Sequence, residues 1–224
     1  MLWIRVDNAS RVQPAKGRYS DWKSQIATDC HRRCVYCAIE DWQYGGLDNF
    51  HIDHYRPKSK FARLEETITN LYLSCAICNR FKSNDWPAEP DDEHRVPAYP
   101  DPGNHDYVEL FEVDLGSGVV AGNFPASRYV VERLFLNRAQ LVRLRRIWVL
   151  QQRLSTIEII LASRLEELTS AAETSKEAQQ LVADICKRLL TVNRAYRSRE
   201  TTTPYDLGEI KREKRKKRKS IKKK

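Results

Sequence analysis

The sequence has no run of 18 apolar residues, so no segment is expected to span a membrane as a helix. The N-terminus, Met1-Leu2-Trp3-Ile4-Arg5-Val6-Asp7, lacks a basic stretch followed by a long apolar one. A secretory signal is therefore not expected. A cytoplasmic setting is, where thiols and metal thiolates survive and disulfides rarely do. The body of the chain also lacks net charge. The formal charge is +9, yet residues 212–224 alone hold ten Lys or Arg against one Glu, and the rest carries 29 groups of each sign. A neutral body has no global positive field, so any polyanion-binding surface on it must be local.

The 224 residues suffice for one ordinary domain with an appendage, or for two small domains. Residues 1–30 form an N-terminal segment with alternation at Leu2, Ile4 and Val6, then a short helix implied by Trp22 and Ile26. Residues 31–94 hold most of the chemistry-bearing side chains. Residues 95–125 are rich in Pro and Gly and predict a hairpin. Its outgoing strand runs through Val108, Leu110 and Phe111 to Val113, its turn is Gly116-Ser117-Gly118, and its return is Val119-Val120. Residues 126–200 read as helical. Asn137 and Gln140 are spaced as a capping box before a stripe of Leu141, Leu144, Ile147, Leu150, Leu154, Ile157, Leu161, Leu165 and Leu168. Thr174 and Glu177 open a second helix whose apolar side carries Leu181, Ile185, Leu189 and Val192. The short connection predicts an antiparallel pair, with the stripe serving core first and a partner second. Residues 201–224 are polar, then basic, and are expected to be disordered unless bound.

Two Cys-x-x-Cys pairs, Cys34/Cys37 and Cys75/Cys78, have the spacing of a closed tetrahedral zinc site. The 37 residues between the pairs leave room for an inserted hairpin. Cys30 and Cys186 lack such pairing and read as plain thiols, with Cys30 the weaker competitor for a ligand position. Between the pairs lies Phe50-His51-Ile52-Asp53-His54-Tyr55, a short strand that follows turn formers Gly45-Gly46 and ends before Pro57. Strand alternation sends Asp53 and His54 to opposite faces, so only a distorted strand end brings both to one site.

This stretch resembles the HNH endonucleases of the ββα-metal fold. The resemblance lies in Asp53-His54 at the end of the first strand, Asn70-Leu71 in the loop and Asn79 early in the helix, framed by the two cysteine pairs. It covers residues 30–86 and implies an α+β architecture. That architecture is a ββα-metal core stabilised by a four-cysteine zinc site, followed by the hairpin and the long antiparallel helical pair. Asn79 stands where many members have His; an amide oxygen still suits Mg²⁺. A narrower resemblance, to the PtuB nuclease family of Septu anti-phage systems and to related retron-associated nucleases, rests on residues 50–59 and on Val131-Glu132-Arg133-Leu134-Phe135-Leu136-Asn137. It implies an effector subunit acting with an ABC or SMC-like ATPase of the PtuA type.

What the family resemblance implies for chemistry is hydrolysis of DNA phosphodiesters. His54 is the expected general base, since an imidazole titrates near neutrality. Asp53 and Asn79 are the expected ligands of one catalytic Mg²⁺ or Mn²⁺, hard ions that prefer oxygen. Asn70 is expected to tie the loop and orient His54. His51, on the strand face of Asp53, is either a further metal or phosphate contact or a structural histidine. Arg56, Lys58 and Lys82 are the candidate substrate contacts, each weighed against a solvated charge. Trp42, Tyr44 and Tyr55 either stack on bases or complete the core. The tail, Arg212 to Lys224, would add salt-dependent affinity for phosphates. Three other readings remain: a non-catalytic zinc-stabilised nucleic-acid-binding module, a scaffold, and a stand-alone restriction or homing-type nuclease.

Overall fold

The computed structural model describes residues 3–89, 96–172 and 175–200. Leu2, Thr174 and the whole basic tail lie outside them. Trp3 and Val6 are buried while Ile4 is 47% exposed, so residues 3–7 anchor through two side chains and form no strand. The short helix expected around Trp22 and Ile26 is a 3-10 turn, Tyr19–Trp22, that runs into α1 (Lys23–Asp29).

The centre of the first unit is a hairpin and a helix. Strand β1 (Phe50–His54) pairs antiparallel with β2 (Leu71–Cys75), with Phe50 opposite Cys75 and His54 opposite Leu71. Gly45 and Gly46, at φ 81° and 92°, make the left-handed turn before β1 that other residues adopt at a cost. Helix α2 (Ala76–Lys82) follows β2 directly, and the Cys75 sulfur accepts from the Cys78 amide at 3.5 Å as its cap. All five residues of β2 are buried, whereas β1 is not uniformly so. This order is strand, strand, helix around a shared apolar and sulfur core.

A second hairpin is shorter than expected at its start. Residues Tyr107–Leu110 form a helical turn, α3, because Asp106 caps it by accepting from the Val108 amide at 2.9 Å. Strand β3 (Phe111–Val113) then pairs with β4 (Val120–Gly122), and Asp114 closes the turn by accepting from Gly116 N at 2.8 Å. Gly122 lets β4 lie against the start of α4 (Pro125–Arg133).

The run from Arg133 to Asn137 joins α4 to the core. Arg133 donates to Asp85 at 3.0 Å, and Tyr99 donates to the same carboxylate at 2.8 Å; Tyr129 also bonds it. Leu134 and Leu136 are fully buried. The Asn137 carboxamide, expected at a helix cap, pairs with both the N–H and the C=O of Val120, each at 2.8 Å. Burial opposes charge on Asp85, but hydrogen bonds from Tyr129, Tyr99 and Arg133 outweigh it and hold its pKa below the ordinary 3.8.

The described chain clusters into two compact units that meet in sequence between Val142 and Arg143, inside the long helix α5 (Ala139–Ala172). The second unit is α5 with α6 (Lys176–Glu200). Asn193 donates to Glu158 at 3.0 Å, and Ile157 and Leu161 share a shallow groove with Lys187, Arg188, Thr191 and Val192. Only residues 173–175 separate α5 from α6, so a bond between Glu158 and Asn193, each about four to five turns from that connection, makes the pair antiparallel. The first residue of α6 is capped by Ser175, whose oxygen accepts from the Ala178 amide at 3.4 Å. The stripe is only part core: Leu144, Ile147, Leu150, Leu154, Leu161 and Leu165 are half-buried, Ile157 and Leu181 exposed. No helix among the described residues is long and apolar enough to cross a membrane.

A Cβ built on Gly122 would lie 2.3 Å from the Arg128 amide nitrogen, a backbone atom that cannot swing away. Gly122→Ala is therefore expected to cost about 1–3 kcal/mol, the usual range for overpacking. Urea denaturation of the two proteins measures it; equal midpoints would refute the close approach.

Candidate active site

The sulfur site comes first because it positions the rest. Cys34, Cys37, Cys75 and Cys78 are buried, and their sulfurs lie within 4.8 Å of one another. The first pair sits on a tight knuckle: Cys34 N donates to Ile39 O at 2.9 Å, Ala38 N to Cys34 O at 2.8 Å, and Ala38 adopts φ 60°. The second pair bridges the end of β2 and the first turn of α2. Burial works against ionisation at Cys37, but hydrogen bonds from Cys34, Cys75 and Cys78 lower its pKa well below 9.0. Hydrogen bonds with neighbouring sulfurs and burial push Cys75 and Cys78 up. Four buried sulfurs this close together are a soft, closed donor set that fits Zn²⁺, which would deprotonate all four.

Cys30 is not part of this set. Its sulfur accepts from the Leu73 amide at 3.3 Å, and burial pushes its thiol up to about 12. Arg138 is a neighbour that sequence reasoning missed. Its Nη2 lies 3.6 Å from the Cys78 sulfur and 3.9 Å from Cys75, while Nη1 donates to Leu134 O at 3.1 Å. Burial disfavours its charge, but the neighbouring Cys78, Cys37 and Cys75 outweigh that and raise its pKa. No spacing in the sequence links Arg138 to cysteines 60 and 63 residues away.

The knuckle reaches the acidic residue directly. Tyr36 lies between the first two cysteines and is fully buried; its hydroxyl donates to Asp53 Oδ2 at 2.6 Å. Burial and the Asp53 charge push the Tyr36 pKa up, so it stays a donor. Asp53, only 4% exposed, is further held by Lys82, whose Nζ lies 3.3 Å from Oδ1 and 3.2 Å from Oδ2. Lys82 also donates to the His54 carbonyl at 2.7 Å and is itself fully buried. The expectation that Lys82 points toward substrate is thus corrected: its stem crosses the interior and its charge is spent on Asp53. Removing one partner of such a pair leaves a buried charge uncompensated, at about 3–5 kcal/mol.

His54 faces the other way, as alternation requires. Its Nε2 lies 3.1 Å from the Glu65 carbonyl oxygen. A carbonyl only accepts, so Nε2 carries the proton and the Nδ1 lone pair is left for chemistry. The ring is half-buried and packs edge-on to Tyr19 at 4.7 Å. Burial lowers its pKa below the ordinary 6.5 against the opposing pull of the Glu65 carbonyl and Asp53. Asn70 sets this loop. Its Oδ1 accepts from Arg56 N at 2.8 Å, and its Nδ2 donates to Arg56 O at 3.2 Å and Leu64 O at 3.1 Å. The strand end and the carbonyl next to Glu65 are stapled by one side chain.

The remaining candidates divide. Asn79 is half-buried on α2, and its carboxamide has no hydrogen-bond partner among the described residues. His51 is exposed although it shares strand parity with buried Asp53. Arg56 ion-pairs with Glu89 at 2.7 Å and stacks on Phe61 and Trp86; Lys58 pairs with Glu65 at 2.9 Å and with Tyr19. A phosphate at either would compete with the acidic partner already there. Tyr55 is core, donating to Tyr99 O at 2.7 Å; Tyr44 packs on Phe50; Trp42 is 60% exposed.

Asp53 and Asn79 as arranged do not fit a bound divalent ion. Both Asp53 oxygens accept hydrogen bonds from the protein, and the neutralising charge is already Lys82.

Residues 34–85 match the family model described as HNH endonuclease. No curated protein and no solved structure matches the chain. The matched span runs from the first zinc-type cysteine through β1, β2 and α2 to Asp85. An HNH endonuclease domain suggests a nuclease, and the four-cysteine cluster suits a zinc ion.

Two outcomes are expected. Arg138→Ala should shorten the half-life of bound zinc against a chelator, read by a colorimetric zinc indicator, because the thiolates lose their compensating charge; unchanged release would dismiss the role. Asn70→Asp keeps the shape but loses both Nδ2 donations. It should lower stability by about 1–3 kcal/mol in urea.

Proposed function

We propose that the ββα element with its sulfur site is the active centre of an endonuclease that hydrolyses DNA phosphodiesters. The observation that carries the proposal is the state of His54. Its Nε2 proton is committed to a backbone carbonyl, its charge is disfavoured by burial, and its Nδ1 is an unprotonated base at neutral pH. In the proposed reaction, Nδ1 takes a proton from water as that water attacks phosphorus; the opposite P–O3′ bond breaks, and the 3′ oxygen leaves and takes a proton from solvent. Tyr19 and the Lys58–Glu65 pair hold the ring and the carbonyl that orients it. Asn70 keeps that carbonyl in place through Leu64. A divalent ion, Mg²⁺ or Mn²⁺, would supply neutralisation of phosphate charge when bound. Asp53 and Asn79, with His51 beside them, are proposed to hold it only where Lys82 has given up the Asp53 carboxylate.

The narrower reading, an effector subunit of an anti-phage complex with an ATPase, draws on the resemblance over residues 50–59 and 131–137. Residues 133–138 have a role inside the chain, since they bind Asp85, Val120 and the thiolates. Co-purification with a co-expressed ATPase tests the partner.

Purified protein is expected to cut supercoiled or linear DNA with Mg²⁺ or Mn²⁺ and not with EDTA. His54→Ala should lower the rate about 10²–10⁴-fold, the range for removing a general base, with zinc content unchanged. Metal-dependent cutting at full rate by that variant would end the base assignment. No cutting by folded, zinc-loaded protein would favour either a nuclease that needs its partner or the non-catalytic binding module, and partner capture would separate the two. The pH profile has a definite sign. A lowered pKa means the base form persists below 6.5, so the acid limb should fall at a pH under that of free histidine. A midpoint above 6.5 would contradict it.

A further inference from the structure

Lys82 stands apart from the other basic residues of the site: fully buried, yet placed among oxygen donors of the kind a hard metal ion takes. Its Nζ meets both oxygens of Asp53 and the His54 carbonyl, with the Tyr99 ring centroid 5.6 Å away. Carboxylate and carbonyl oxygens are the ligands that Mg²⁺ and Mn²⁺ prefer. An ammonium and a divalent ion therefore compete for one carboxylate.

We propose that Lys82 is a resident cation that holds Asp53 in a metal-excluding state. Divalent-ion binding is then an exchange: the ammonium leaves Asp53 with its proton, one positive charge departs, and two arrive. This rests on the nuclease reading above and says how its metal enters. Two features of α2 make the exchange local. Lys82 is the last residue of the helix, and Ser83 follows at φ 49°, a conformation that side-chain-bearing residues adopt with strain. Rotation about the side-chain torsions of Lys82, in the last turn of the helix, withdraws the ammonium without moving β1. Asn79 lies three residues earlier, on the same side of the helix, with its carboxamide unpartnered among the described residues. It supplies an oxygen when the ammonium has gone. Tyr36 keeps Asp53 in place throughout, from the zinc knuckle.

The test measures Mn²⁺ binding to the zinc-loaded full chain by the loss of the free-ion electron paramagnetic resonance signal. Wild type should bind weakly, and Lys82→Met at least ten-fold more tightly. Asp53→Asn and the Asp53→Asn/Lys82→Met double variant should lose that site. Equal or weaker Mn²⁺ binding by Lys82→Met would overturn the proposal. Because that variant also leaves a buried carboxylate, a second measurement uses wild type alone. Lys82 should resist amine acylation, read by peptide mass spectrometry, without Mn²⁺ and become labelled with it. Continued protection at saturating Mn²⁺ would also overturn the exchange. The two failures are distinguishable: metal-dependent cleavage with unchanged Mn²⁺ affinity in Lys82→Met defeats the exchange alone. Absence of both cleavage and Mn²⁺ binding defeats the nuclease reading with it.

Discussion

The four-sulfur cluster is the constraint on which the rest of the first unit depends. It joins two segments far apart in sequence at three critical points. Cys75 ends β2 and caps α2, so the sulfur site dictates where strand becomes helix. Cys34 and Cys37 hold the knuckle from which Tyr36 reaches Asp53. Arg138 then brings the root of the long helix onto the thiolates. A ββα element this small buries too little apolar surface to order itself well, and a metal or equivalent clamp supplies the difference.

Around that clamp, one strand end serves two different environments. Asp53 turns inward to Tyr36 and Lys82, and His54 turns toward the loop and Glu65. Adjacent residues on a strand diverge, so the site is divided into an interior carboxylate and an outer base. Asn70 connects the halves, since it bonds the backbone just after His54 and the loop that orients the ring. The chemistry proposed for His54 needs a neutral ring with a defined tautomer, and burial plus a carbonyl acceptor give both.

The run from Arg133 to Arg138, read from the sequence as part of a family motif and as a helix start, also has a place in the packing of the first unit. It spends its polar side chains on three separate parts of the first unit: Asp85, Val120 and the cysteines. Leu134 and Leu136 fill the space between. The apolar residues of α5 and α6 do not all find cover within their own unit, as exposed Ile159, Ile160 and Leu190 show.

Much of the core was legible in the sequence because its signals are local. Cys-x-x-Cys spacing reflects the reach of one knuckle, and periodic leucines reflect the helical repeat. The hairpin turn at Gly116-Ser117-Gly118, the strand at Phe50–His54 and the two long helices followed from such patterns. The start of the second hairpin did not, because a single Asp106 cap made residues 107–110 helical. The long-range partners were illegible for a physical reason: hydrogen bonds and ion pairs across 17 to 63 residues leave no fixed spacing. A lysine one turn past a cysteine can face solvent or cross the interior, and only packing decides which. The sequence by itself determined the four clustered cysteines, the strand that carries Asp53 and His54, and the two long helices. The tertiary structure alone decided that Lys82 neutralises Asp53, that Tyr36 ties the carboxylate to the sulfur site, and that Arg138 completes that site, because each depends on which faces meet.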